Sequence, residues 1–245
     1  MALAVFGIAA PVQAQDEPET HTGSRLREKP EPMKTNPKSG DDTKTRIVAK
    51  RFGDCVFDRR KKQAIQLLSV SDYWSIDYSK LGDAEYLLNN MILMEQCLGV
   101  ADRGAGGVGM TISNTAIRGA LVEAAYLNAY KDEDAPITLA ADAPEFLENR
   151  YIVPGRTHDD ALAAASFSDC VVYQAPAKAH AVLHTKPGTK DEKAAVMAIV
   201  PAVGKCIPSG KEMRLNLASI RAFLADGLWA RAYYGKPSEV SGGSE

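Results

Sequence analysis

The sequence lacks a charge excess, a long apolar run and the short motifs of common enzyme classes. Its 29 Lys and Arg residues against 31 Asp and Glu residues leave a net charge of −2, which argues against a nucleic-acid partner held by phosphate contacts. No apolar stretch reaches the roughly 20 residues that a membrane-spanning helix needs. No G-x-S-x-G elbow, Walker A loop, haem C-x-x-C-H or EF-hand loop is present, so we predict no cofactor. These absences do not exclude a catalytic site assembled from residues that are far apart in the sequence.

The N-terminal region has the composition of an exported protein. Residues 1–14 read MALAVFGIAAPVQA and close on Val12-Gln13-Ala14, with small residues at the two positions that a signal peptidase reads. We therefore predict a signal peptide over 1–14, a periplasmic location in a bacterium, and no transmembrane segment after cleavage. Residues 15–48 and 236–245 are polar and poor in large apolar side chains, which predicts a disordered tether and a disordered tail.

Three sequence blocks occur twice in the same order, which predicts a tandem duplication. The first block is Phe52-Gly53-Asp54-Cys55-Val56 against Phe167-Ser168-Asp169-Cys170-Val171. The second is an apolar stripe at helical spacing that ends on Cys97 in one copy and on Cys206 in the other. The third sets Met110–Tyr130 against Met213–Tyr233.

Each copy has the pattern of a small helical bundle. We predict an all-α protein of two tandem modules, each of about three helices, at residues 49–134 and 161–235, joined by a connector at 135–160. Pro176 is expected to kink the first helix of the second module or to restart it. Thr189, Ser113 and Asn216 are good N-caps for later helices.

One stretch of the first copy matches a nucleotide-binding fingerprint letter for letter. Ala101–Met110 reads ADRGAGGVGM and contains G-x-G-x-x-G. A dinucleotide fingerprint must follow a strand, so that the amino end of the next helix meets the pyrophosphate. Here a helix is predicted before it, and the second copy has only a short turn with one glycine. We therefore interpret the stretch as an expanded turn between helices.

Four cysteines in an exported protein indicate two disulfides, although four cysteines allow three pairings. If a single ancestral module was stable alone, its two cysteines paired with each other, which predicts Cys55–Cys97 and Cys170–Cys206. Thiol redox exchange and metal binding are the alternatives. No C-x-x-C motif supports either of them.

Two charged positions are repeated, Arg118 with Arg221 and Glu123 with Asp226. Arginine and acid five residues apart on one helix point about 140° away from each other, so they do not pair directly. The arginines are predicted to dock helices or modules, with the anchoring of a carboxylate or phosphate ligand as the alternative. The repeated aromatic position, Tyr126 and Trp229, is a further candidate for lining a groove between the modules or for packing in the core.

His180 and His184 stand one helical turn apart and are weak candidates for half of a metal site. The residues between them are Ala-Val-Leu, so the glutamate of H-E-x-x-H is missing, and the first copy has no counterpart of the pair. We predict no bound metal.

The repeated Phe-x-Asp-Cys-Val block, the second cysteine and the run Ile-Arg-Gly-Ala-Leu-Val-Glu-Ala-Ala-Tyr resemble a group of exported proteins of sphingomonad-type alphaproteobacteria. The resemblance spans residues 49–234 and implies location and architecture, since no activity is established for that group. We expect a non-enzymatic binding or interaction module with a periplasmic protein or small-molecule partner. The alternatives are a periplasmic enzyme with its site in the groove between the modules, and a thiol-redox or metal-handling protein.

Overall fold

The computed structural model describes residues 42–82, 90–103, 113–131, 149–207, 213 and 215–235. These ranges contain seven α-helices, one short 3-10 turn at Tyr78–Lys80 and no strand, so the all-α fold class is confirmed. No helix within these ranges is both long enough and apolar enough to cross a lipid bilayer. The helices are α1 (Asp42–Ser69), α2 (Met94–Ala101), α3 (Asn114–Ala129), α4 (His158–Gln174), α5 (Pro176–Leu183), α6 (Lys190–Cys206) and α7 (Leu217–Tyr234).

Several sequence predictions fall outside the described residues. They are the signal peptide at 1–14, most of the tether, the tail at 236–245 and the glycines of the fingerprint match. The tether prediction was wrong for residues 42–48, which form the first turns of α1. Val48 is buried and Arg46 pairs with Glu192 of α6, so tertiary contacts that composition does not reveal stabilise this part of the helix.

We refer to α1–α3 as module 1 and to α4–α7 as module 2. In module 1, α1 packs along α3 and also contacts α2; in module 2, α4 packs along α7. The two modules meet where α3 packs on α7, and α7 also contacts α5 and α6. Because α7 is surrounded in this way, its side chains are buried on nearly every face, as expected for a central helix.

The first helix of each copy breaks at an equivalent place. Within α1, Arg60 has non-helical angles (φ −138°, ψ 39°), and between α4 and α5 Ala175 has similar ones (φ −151°, ψ 60°). The predicted restart at Pro176 is confirmed, since α5 begins there. Proline suits a first helical turn because the amide that it lacks has no intrahelical partner at that position.

The predicted N-caps are confirmed, and the helix faces that follow two of them are buried. The Ser113 side chain accepts a hydrogen bond from the Ala116 amide at the start of α3, and Asn216 forms a capping box with Ser219 at the start of α7. Thr189 accepts from the Glu192 amide at the start of α6. Equivalent faces of the two helices are buried: Ile117, Ala120, Leu121 and Ala124 on α3, and Ile220, Phe223, Leu224 and Gly227 on α7.

Two disulfides join the first helix of each module to the helix that carries the second cysteine. Cys55–Cys97 joins α1 to α2, and Cys170–Cys206 joins α4 to α6, which is the pairing that the repeat predicts. The prediction of a helix that ends on Cys97 was wrong. Leu93 has a left-handed backbone (φ 52°) and the helix begins only at Met94, so Cys97 lies in its first turn.

Candidate functional site

The repeated charged residues pair across the boundary between the modules. Arg118 of α3 donates to Asp226 of α7 at 2.5 Å. Arg221 of α7 donates through two nitrogens to both carboxylate oxygens of Glu123 on α3, at 2.9 and 2.8 Å. The arginine of each module therefore binds the acid of the other, the reciprocal pattern of an interface between equivalent surfaces. Both arginines occupy docking contacts, the first of the two roles that the sequence left open.

The Arg118–Asp226 pair belongs to a buried charged cluster with Arg150 and Asp169. Arg150 lies in the connector, and its guanidinium donates to Asp169 at 2.8 Å and also to Asp226. All four side chains are almost fully buried. Burial alone would raise the pKa of Asp226, but Arg150 and Arg118 outweigh it and lower that pKa from 3.8 to about 2. Each carboxylate of the cluster is paired with an arginine, so the charges are buried as ion pairs.

The Arg221–Glu123 pair belongs to a second charged cluster that lies nearer the surface. Arg221 also donates to the carbonyls of Val182 and Leu183, at 2.8 and 2.9 Å, and so binds the free end of α5. Glu192 accepts from the same guanidinium at 3.4 Å. These contacts join both modules to the α5 terminus, a structural role for Arg221.

A groove with a volume of about 520 Å³ lies beside this second cluster, between the modules. Such a volume is within the range of small-ligand sites. Its floor is apolar and includes Phe57, Ala124, Leu127 and Leu183. Its polar and charged lining comes from both modules: Lys50, Asp54, Asp58, Asn128, Lys131, His184, Thr185 and Lys186.

One lysine contacts two carboxylates, one in the lining of the groove and one beside it. The Lys50 ammonium lies 3.2 Å from a carboxylate oxygen of Asp54 and 3.8 Å from one of Glu123. Partial burial raises the pKa of Asp54 above its ordinary value, although Lys50 acts in the opposite direction. Lys131 and Lys186 are exposed at the rim together with Asp58. The groove thus presents ion-pairing groups above an apolar surface.

The predicted aromatic site residues lie in the core rather than in this groove. Tyr126 is buried, with its hydroxyl 2.7 Å from the Nδ1 atom of His180. Trp229 is buried and lies beside the Arg118 guanidinium, which is 5.9 Å from the ring centroid. The four cysteines are all in disulfides.

His180 and His184 contact each other, with ring centroids 4.2 Å apart. Within the described ranges, no group of three or more His, Cys, Asp or Glu residues is placed to hold a metal ion. His184 reaches the groove while His180 is turned toward Tyr126. The arrangement therefore fits a ring contact at the end of α5.

Sequence reasoning missed Arg150 and the charged lining of the groove. A signal for Arg150 was present, because this cation directly precedes the apolar run Tyr151-Ile152-Val153, whose composition favours packing on a module. A cation in such a segment needs a buried acid. The first repeated block contained that acid, Asp169, and its counterpart Asp54 lies in the groove.

A hydroxyl and an acid of the groove are both engaged in contacts within the fold. Among the described lining residues, Thr185 carries the one hydroxyl side chain, which donates to the Val182 carbonyl at 2.6 Å and accepts from Arg221. A hydroxyl nucleophile needs contact with a base, and a carboxylate that acts as nucleophile or base must reach the substrate. Asp54 is paired with Lys50.

No protein-family model, curated protein or solved structure was found to match this chain.

Proposed function

We propose that the protein is a non-enzymatic binding module of the bacterial periplasm, and that it binds its partner in the groove between the modules. The observation that carries the proposal is the division of charged residues between two tasks. The repeated arginines and acids hold the modules together, whereas a separate set of charges lines an open groove above an apolar floor. Convergent polar groups around an apolar concavity are typical of ligand sites.

The periplasmic part of the proposal rests on two features. Disulfides persist in oxidising compartments, and both cysteine pairs of this chain are bonded. The leading sequence also ends its apolar run on Val12-Gln13-Ala14, a signal-peptidase pattern. The resemblance to exported alphaproteobacterial proteins supports the same location.

An enzyme with its site in the same groove is the second candidate. It is favoured by charged residues that come from both modules and by the raised pKa of Asp54. An acid–base role requires Asp54 to leave Lys50 during the reaction. Binding needs no such rearrangement, so we place it first.

Site-specific photo-crosslinking in the native host tests the proposal. A photoreactive amino acid at Asn128, which lines the groove, should give a covalent adduct that mass spectrometry identifies in the periplasmic fraction. The matched control carries the same amino acid at Lys193, an exposed position of α6 outside the groove. Equal adducts at the two positions, or a cytoplasmic protein, would contradict the proposal.

A further inference from the structure

The groove has a counterpart in the other half of the molecule. By the sequence repeat, its wall residue Asp54 on α1 corresponds to Asp169 on α4, and Glu123 on α3, at its inner edge, corresponds to Asp226 on α7. The third wall of the groove is the C-terminal end of α5. The repeat places the C-terminal end of α1 at the equivalent position of the counterpart site. Each site thus lies between a first helix, a last helix and the turn that the other module contributes.

The counterpart site is filled by a segment of the chain itself, residues 149–153. Arg150 donates to Asp169 and Asp226, and the Asn149 side chain donates to the Tyr234 carbonyl at the end of α7. On the module 1 side, the Val153 amide donates to Asp72 at 2.8 Å. A non-helical peptide therefore binds simultaneously to α4, to α7 and to the turn after α1.

The two sites differ in the source of their central cation. In the filled site the peptide supplies it as Arg150, and Ala165 stands where the repeat places Lys50. In the open groove Lys50 itself lies against Asp54 and Glu123. A peptide that enters this groove finds both acids already paired, Asp54 with Lys50 and Glu123 with Arg221, so it gains little from a basic residue at that point.

The exposed charges of the groove favour an acidic occupant. Lys131 and Lys186 are exposed on opposite modules, and Asp54 and Asp58 are the acids among its described lining residues. Asp54 is paired with Lys50, so two lysines face one unpaired acid in the remaining described lining, which favours a negative partner through charge complementarity. Leu127, which is half-buried, offers apolar contact in the same lining.

We propose that the groove binds a short acidic peptide segment of a partner polypeptide, seated as residues 149–153 are seated in the counterpart site. This rests on the proposed function and adds the chemical class of the partner. By the repeat, Lys131 stands where Tyr234 accepts from Asn149 in the filled site, so a carboxylate at the Asn149 position of the bound peptide faces Lys131. The apolar side chains of the peptide lie on Leu127. Recognition of this kind uses main-chain contacts for affinity and side-chain contacts for selectivity.

The chain's own connector provides the probe. Two fluorescein-labelled peptides are titrated into the full chain and followed by anisotropy: Asn149–Pro154 with Arg150→Ala, and the same peptide with Asn149→Asp in addition. The Asn149→Asp peptide is expected to bind about three- to fivefold more tightly, with an affinity that falls as salt rises. The combined Lys131→Glu and Lys186→Glu variant should reduce its binding by about tenfold, whereas Lys193→Glu should leave it unchanged.

Three results would overturn the inference. One is equal binding of both peptides, and another is full binding by the double-reversal variant with an unchanged melting temperature. The third is binding only after removal of residues 1–41, which would make the chain's own leading segment the occupant. If the Asn128 variant forms adducts but the acidic peptide does not bind, this inference is refuted and the binding function stands. If there are neither adducts nor peptide binding, the proposed function is refuted too.

Discussion

Asp226 connects the modules more directly than any other acid among the described residues. It accepts hydrogen bonds from Arg118 of module 1 and from Arg150 of the connector, and Ser168 donates to it at 2.9 Å. Its counterpart Glu123 makes the equivalent contact with Arg221 but remains partly exposed, at 13% of its side-chain surface. We therefore expect the two acids at this repeated position to contribute differently to the free energy of unfolding.

Asp226→Asn is expected to lower the free energy of unfolding by about 3 to 5 kcal/mol, because it leaves two buried guanidinium groups without their common anion. The matched change Glu123→Gln should cost about half as much, since water reaches that pair. Urea denaturation of both variants checks the order. Equal losses would show that burial does not separate the two pairs.

The lowered pKa of Asp226 predicts a specific acid sensitivity. Its pKa in the folded state is about 2, below the ordinary value near 4, so the ionised form contributes stability that is complete above about pH 5. This stability is lost as the pH falls through 4 toward 2, because the unfolded chain binds the proton first. Urea midpoints measured between pH 2 and 6 should fall along this limb. A folded Asp226→Asn variant should show a shallower limb, and an unchanged slope would contradict the assignment.

The members of the charged clusters and their pairing were only partly predictable from the sequence. The repeat identified Arg118, Arg221, Glu123 and Asp226 as a set, and helical geometry excluded pairing within one helix. Their cross-pairing depends on how α3 and α7 pack, which no spacing in the sequence specifies. Arg150 was missed because it has no counterpart in the other copy.

Close helix crossings depend on one glycine in each module. A Cβ atom on Gly53 of α1 would overlap the Ala120 carbonyl of α3, and one on Gly227 of α7 would lie 2.5 Å from the Ser168 carbonyl of α4. A Cβ atom on Gly119 of α3 would have no atom within 4 Å. Of these three glycines, only Gly53 and Gly227 lie where two helix backbones approach closely.

Gly53→Ala and Gly227→Ala should each lower the free energy of unfolding by about 1 to 3 kcal/mol, because the helices must separate. Gly119→Ala is the control and should raise it by about 0.5 to 1 kcal/mol, since alanine favours an unobstructed helix. Thermal unfolding of the three variants checks these signs. Stabilisation by Gly53→Ala would show that the α1–α3 crossing is looser than described.

Local chemistry predicted the helix ends better than the helix positions. Caps and the Pro176 restart follow from side-chain and proline geometry over a few residues, and they are present. The start of α1 was misplaced because its first turns have polar composition and depend on distant partners such as Glu192. The end of α2 was misplaced because an apolar stripe does not show where a helix stops, and α2 continues past Cys97 to Ala101.

The whole molecule is expected to unfold as one unit, although the chain has two modules. The α3–α7 contact and the connector contacts cross the module boundary, and buried charges would lose their partners if either module opened alone. The chain has only two tryptophans, Trp74 in module 1 and Trp229 in module 2. Each one reports on a different module.

The variants Trp74→Phe and Trp229→Phe should have urea transitions whose fluorescence midpoint coincides with their own far-ultraviolet circular dichroism midpoint. Coincidence of local and global probes is expected for a single cooperative transition. A fluorescence midpoint that precedes the circular dichroism midpoint in one variant would mean that the modules unfold separately.

The central position of α7 bears on the order in which the chain is made. Ribosomes produce α1, α2 and α3 first, so Arg118 and Glu123 emerge long before Asp226 and Arg221 exist to pair with them. Arg150 likewise precedes both of its acids, Asp169 and Asp226. A nascent chain interrupted before α7 would carry these groups uncompensated, and only synthesis through α7 supplies the partners that close the core.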